Sequence, residues 1–329
     1  MAYVAGDTIL DDEYNAFATN NTSPFGINHI IGTGDGVYGL GQSTISTVAA
    51  GSVITAAQWN SLFSAMDNVA NHTEVSITST TTKNAGDAIA AIAALTTDLA
   101  SLATAVSTGS PNASSGLTAG SEDSSRVASA VFDTSHIVEE SFTFVGGDEA
   151  RWFFNAGGKI RISLSNNATN STGKDTTVST LATALGNFDI GATACSRSGS
   201  GETETTFAST TGYYDLTTGY TTLLELTEDS GSYSGNISIK IEAKTNAAHA
   251  DGRNNNGTVI TVKCSALVND GTTTDYTAGN TDGVQVEDEA AGTTDWSFRT
   301  VDPNISQGLS TVYTNVTVAN VSNAIDNAD

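Results

Sequence analysis

The chain has 329 residues, of which 15% are charged, and its 12 Lys and Arg stand against 36 Asp and Glu for a net charge of −24. So acidic a surface repels phosphate backbones and anionic lipids, which argues against nucleic-acid and membrane partners. Small polar residues dominate, yet alternating apolar runs recur, so the composition is that of a β-rich folded protein with many turns rather than a disordered one.

An internal repeat opens the chain. Gly6-x-x-Ile9-x-x-x-Glu13-Tyr14-Asn15-x-Phe17 matches Gly51-x-x-Ile54-x-x-x-Gln58-Trp59-Asn60-x-Leu62 at an offset of 45 residues. Each copy reads as a turn, a short extended piece and a helix. Thr55 and Gln58 have capping-box spacing, and Asp11 suits an N-cap in the first copy. The second helix is predicted over residues 56–69, with Trp59, Leu62, Phe63 and Met66 on one face. The two helices are expected to pack as a pseudo-symmetric pair, with Tyr14 and Trp59 at matching sites of one core. A ligand gripped between the two rings is the rival reading. The Asn of each copy is expected to bond neighbouring backbone groups and fix the turn-to-helix geometry. Between the copies, the glycine-rich residues 32–41 lack the Gly-Lys-Ser/Thr of a phosphate loop. A strand predicted over residues 43–49 leaves no helix N-terminus there for a phosphate. Close approach of backbones is the expected use of those glycines.

A third helix is predicted over residues 84–107. Ala88, Ile92, Leu95, Leu99, Leu102 and Val106 form a heptad stripe under three heptads long. A stripe this short is marginal as an isolated coiled coil, so packing on the first helices and bundling with neighbouring subunits both stay open. Residues 107–125 are small and polar with one Pro, and read as a linker. The boundaries are therefore a helical domain over 1–106, a linker over 107–125 and a β domain over 126–329.

In the β domain Phe142 and Phe144 alternate, and the aromatic run Trp152, Phe153 and Phe154 follows. Gly157 and Gly158 suit a turn or bulge. Ile160, Ile162 and Leu164 then point inward, while Lys159, Arg161, Ser163 and Ser165 point outward. A short helix is expected near residues 181–185, and an extended stretch at Tyr213, Tyr214 and Leu216. Further strands carry Leu223, Leu224 and Leu226; Ile237, Ile239, Ile241 and Ala243; Ile260, Val262 and Cys264; Trp296 and Phe298; and Val312, Val316 and Val318. The fold class is α+β, a small helical N-terminal domain joined to a larger antiparallel β-sandwich.

The search for chemistry returns little. His29, His72, His136 and His249 are scattered, and no Gly-x-Ser-x-Gly elbow is present. Glu139-Glu140 and Asp11-Asp12 are local acidic runs, so no enzyme and no cofactor are expected. Calcium is the softer alternative: Asp270, Asp275, Asp282, Asp288 and Asp295 crowd one loop-rich region, against their reading as solvated turn acids. Tyr213, Tyr214 and Tyr220 would serve a sugar site if exposed. Cys195 and Cys264 cannot build a disulfide framework, and Cys264 falls at an inward strand position. The first residues lack the basic and apolar regions of a signal peptide, so assembly in the cytoplasm is expected.

Three stretches carry a resemblance. Trp152-Phe-Phe-Asn-Ala-Gly-Gly-Lys-Ile-Arg-Ile-Ser163 resembles a motif in structural proteins of tailed bacteriophages, in particular tail and tail-fibre-like proteins of marine and cyanobacterial phages. Gly34-Asp-Gly-Val-Tyr-Gly-Leu-Gly-Gln42 and Gln58-Trp59-Asn60 resemble the same proteins. The resemblance implies a non-enzymatic virion protein of the tail, tail fibre or another appendage, exposed on the particle and partnered by other virion proteins. The helical domain would attach it, and host cell-surface glycan is a further partner. Self-association is expected, as trimers or as a repeating polymer. A capsid decoration or head-fibre protein, a lectin-like adhesin and a surface polysaccharide depolymerase are the alternatives.

Overall fold

The computed structural model describes residues 11–78, 81–87, 92–108, 118–119, 124–127, 134–167, 173–229, 236–247, 257–268, 293–303, 308–310, 313 and 316–326. Gly6 and Ile9 of the repeat, Ala88, His249, Val312 and the acids Asp270, Asp275, Asp282 and Asp288 lie outside them.

Four helices build the described N-terminal part: α1 (Asp11–Thr19), α2 (Ile27–Ile31), α3 (Ala56–Thr73) and α4 (Ile92–Ser107). Asp11 is the first residue of α1 itself rather than its cap. Asp12 and Glu13 join it in the first turn, where the helix dipole favours carboxylates. The expected capping box starts α3: Gln58 N donates to Thr55 Oγ1 at 3.3 Å and Thr55 N to Gln58 Oε1 at 2.7 Å. The helix then runs past Val69 to Thr73. The first residues of the predicted third helix are not helical. Residues 84–87 form a turn closed by Asn84 N on Asp87 Oδ2 at 2.8 Å. Leu95, Leu99, Leu102 and Val106 are buried, and α4 packs on α1, α2 and α3. From Leu95 to Val106 the heptad stripe is thus covered within the chain.

The strand expected over residues 43–49 forms no ladder. Its backbone is held by asparagine side chains instead. Asn28 donates to Ile45 O and accepts from Ile45 N, both at 2.8 Å. Asn15 does the same to Val48, again at 2.8 Å each. Asn60 holds Lys83 at 3.0 and 2.8 Å. A side-chain amide offers a donor and an acceptor in one plane, as a peptide group does, so it can stand in for a neighbouring strand.

The described residues of the rest of the chain form twelve strands: β1 (Thr118–Ala119), β2 (Ser124–Val127), β3 (Ser135–Phe144), β4 (Lys159–Asn167), β5 (Asn187–Ile190), β6 (Cys195–Arg197), β7 (Thr203–Phe207), β8 (Thr221–Thr227), β9 (Ile237–Thr245), β10 (Val259–Val268), β11 (Thr293–Asp302) and β12 (Val316–Asp326). They make two six-stranded antiparallel sheets. One is ordered β1-β11-β4-β5-β6, with β2 also on β11, and the other β12-β3-β10-β9-β8-β7. Two pieces of the stretch expected as a linker are therefore strand, because β1 and the start of β2 complete the edge of β11. Ile160, Ile162 and Leu164 are buried, as the alternation predicts, and Ile162 sits between Phe298 and Phe188.

Two helices join the sheets, α5 (Gly147–Asn155) and α6 (Gly173–Leu185). The second extends well beyond the short helix expected at its end. It packs on β4 of one sheet and on β8 and β9 of the other, with Val178, Leu181 and Leu185 fully buried. Tyr213 and Tyr214, expected in an extended stretch, begin a single 3-10 turn. After β11 the chain returns to the helices. Ser310 N donates to Gln42 Oε1 at 2.7 Å, Gln42 Nε2 to Tyr313 Oη at 2.9 Å, and Tyr313 Oη to Leu40 O. Helical part and β body share one buried core.

Candidate functional site

The two longest stretches behind the resemblance meet each other. The glycine-rich loop leaves the end of α2 and folds back on it. Gly39 N and Leu40 N donate to Ile30 O and Ile31 O at 3.2 and 3.1 Å, serving helix-end carbonyls that have no partner within the helix. The turn leaves several loop carbonyls aimed at α5, where a guanidinium takes them.

Arg151 is 4% exposed. Its Nη1 donates to Gly36 O and Tyr38 O, and its Nη2 to Thr33 O, Gly34 O and Asp148 Oδ1. The Asp148 carboxylate is mostly exposed, so the buried charge is solvated chiefly by backbone dipoles. A planar fork of five donors suits several carbonyls at once, which an ammonium cannot match. One helical turn on, Asn155 Nδ2 reaches Gly36 O, Tyr38 O and Gly39 O at 3.0–3.3 Å. The Tyr214 hydroxyl lies 2.7 Å from both Gly36 O and Asn155 Oδ1, with one proton for the two. Trp152 Nε1 donates to Thr33 O at 3.0 Å.

Two glycines are demanded by this joint. Gly41 has φ +62°, and a Cβ there would come within 2.5 Å of the Trp152 ring. Gly39 has φ +89°, and a Cβ would meet Thr33 O at 2.2 Å.

Beneath the joint, Phe144, Phe153, Phe154 and Tyr213 form an aromatic cluster. Phe153 meets Phe154 edge-on at 5.1 Å, and Phe154 stacks on Tyr213 at 4.4 Å. Burial pushes the Tyr213 phenol upward, so it stays neutral. Gly157, with φ +90°, closes the turn after α5, and Gly158 packs beneath the Phe153 ring before Ile160 and Ile162 enter β4. His72 at the end of α3 bonds to Ala156 O of that turn at 3.0 Å, and burial lowers its pKa.

The other predicted pair lies elsewhere. Tyr14 and Trp59 are buried edge to face at 5.4 Å, and Tyr14 Oη donates to Gln58 O. No ligand fits between the two rings. Asn15 and Asn60 do occupy like positions, but they reach 33 and 23 residues along the chain rather than their own turns. Leu95, Leu99 and Leu102 belong to the helical core, while the side chain of Ile92 is outside the described residues.

Tyr213 and Tyr214 are buried and unavailable to a sugar. Tyr220 is capped by Lys244 and Lys263 at 4.2 and 4.5 Å from its ring centre. A cleft of about 270 Å³ lies between α3 and the returning strap, and its described lining is hydroxyls, amides and aliphatic groups without a charge. Among the described residues no group of three or more His, Cys, Asp or Glu side chains is placed to hold a metal ion. Both cysteines are free and buried, with burial pushing the Cys195 thiol to about 12 and that of Cys264 upward as well. No described helix is long and apolar enough to cross a membrane.

Sequence patterning gives Arg151 and Asn155 no role of their own and reads Tyr214 as part of an extended stretch or a sugar site, whereas all three hold the glycine-rich loop. The available signal was Arg151, one of only 12 cations, four residues ahead of Asn155 in a run of aromatics. No protein-family model, curated protein or solved structure matches the chain.

Proposed function

We propose that the chain is a non-enzymatic structural protein of a tailed bacteriophage particle, a component of the tail, tail fibre or another appendage that assembles by self-association. One observation carries the reading. The glycine-rich loop and the aromatic motif, the two main stretches resembling such proteins, are each other's partners in a buried joint. A motif consumed in holding the helical part to the β body supports a mechanical role over a chemical one. The buried phenols and solvated guanidinium of the joint offer no nucleophile or acid–base pair to a substrate.

The test is to purify particles from a lysate in which the chain is made, identify their proteins by mass spectrometry, and locate the chain with gold-labelled antibody. Peptides from this chain in particles, with label on the tail or an appendage, are expected. Absence from particles would overturn the reading. Label on the head surface would replace it with a capsid decoration or head fibre.

A further inference from the structure

We propose that the outer edge of β12 pairs with β12 of a second copy about a two-fold axis, extending the second sheet across two chains. The inference deepens the self-association in the reading above and names its surface.

The two edges of that sheet differ. The far edge, β7, is five residues long, broken by a bulge, and carries Glu204 tied to Arg197 at 2.9 Å. Short strands, bulges and charges are the devices that stop sheets from growing edge to edge. The near edge, β12, is 11 residues long. Its inner side is hydrogen-bonded along β3, and among the described residues no strand pairs with its outer side. Residues 316–325 contain no charge and no Pro, a run matched by no other described strand. Among the described residues the one blunting device is a bulge at Val321, which interrupts the register and carries a side chain 53% exposed. The run before it keeps unbroken register with β3, and Thr317, Ala319 and Asn320 in it are exposed. The neighbouring β2 of the first sheet approaches β12 but forms its ladder with β11.

Charge selects the occupant. Two copies at −24 each repel over most of their surfaces, which favours a contact that carries no carboxylate. The uncharged run of β12 is such a place. A strand that pairs with its own copy antiparallel is related to it by a two-fold axis, and the contact closes on itself rather than propagating. Edge-to-edge pairing buries little surface, so the affinity belongs at the weak end, on the order of micromolar.

The experiment is sedimentation velocity on the full chain from submicromolar to ~100 µM, a range bracketing that affinity, at low and at physiological salt. A reversible species of twice the 33.6 kDa chain mass is expected, tightening about tenfold as salt screens the repulsion. Thr317→Asp with Ala319→Asp sets carboxylates against their symmetry mates on exposed positions and should abolish the dimer. Thr203→Asp on β7 should leave it intact. A monomer at every concentration, a trimer, or a dimer that survives the β12 substitutions would overturn the proposal. So would loss of association in the β7 variant, which would point to head-to-tail β12–β7 pairing. A monomeric chain still found in purified particles would defeat this inference and the self-association but leave the virion reading, and a dimer absent from particles would defeat only the virion reading.

Discussion

The β body and the helical part satisfy their backbones by different means. In the body, long ladders run strand to strand, and β3 meets β10 through nine consecutive residue pairs. In the helical part, the described extended segments have no ladder. Asn15, Asn28 and Asn60 each hold one residue of them, and Arg151 and Asn155 hold the glycine loop. A ladder spreads its stability over many similar bonds, so its tolerance is set by register and burial. A side-chain clamp concentrates the same need in one residue, and losing it strands buried polar groups at once.

The largest effect should come from Ile162→Asp. It places a carboxylate between Phe188 and Phe298, at a cost of several kcal/mol against a total stability of about 5–15 kcal/mol. Because the core is shared, calorimetry should show no cooperative transition for either region. A helical part that still melts on its own would break the comparison, since the two regions would then be separate units. Arg151→Lys comes next. It keeps the charge but not the fork, and about 3 kcal/mol should be lost from carbonyls left unpaired. Far-ultraviolet circular dichroism should retain the β signal while limited proteolysis cuts within the helical part first. Cutting in the β body first would show that the joint does not hold the helices.

Asn15→Leu and Asn60→Leu sharpen the comparison within the helical part. Each should cost about 1–3 kcal/mol in urea unfolding, with Asn15 the costlier because Val48 is buried and Lys83 is only half-buried. Equal costs would mean that burial does not set the worth of a clamp. The smallest effect is that of pH. Burial lowers the pKa of His29, His72 and His136 in the fold. The unfolded chain, with histidine near 6.5, then binds protons first as pH falls. Stability should be full above that value and decline below it, until the folded-state pKa values are passed. His72→Gln should flatten the decline in melting temperature between pH 7 and 5, a window chosen to bracket that unfolded pKa. An unchanged profile would exclude His72 as a contributor.

The ladders were legible in the sequence because period two writes both strand and facing into neighbouring residues, as at Ile160, Ile162 and Leu164. The heptad stripe was legible as a helix for the same reason, but nothing in it says what covers it. The clamps were not legible. A side chain that bonds a backbone 33 residues away leaves no period, and only the recurrence of Asn15 and Asn60 at one offset hinted at a shared duty. The helix α6 was missed for most of its length because it is buried on several sides. Lys174, Asp175 and Thr177 are inside together with Val178 and Leu181, so no apolar face stands out.

The strap that brings Tyr313 and Ser310 onto Leu40 and Gln42 has a consequence for the order of events at the ribosome. Gln42 and Tyr313 are 271 residues apart, so this contact closes one of the longest loops the chain can form. Translation at about 5–20 residues per second puts roughly a quarter of a minute to a minute between the emergence of its two sides. The helical part leaves the tunnel first but cannot complete its own surface until the far end arrives. Completion therefore waits on residues 308–313, and a chain stalled or clipped before residue 308 would hold every described helix yet lack the piece that seals them.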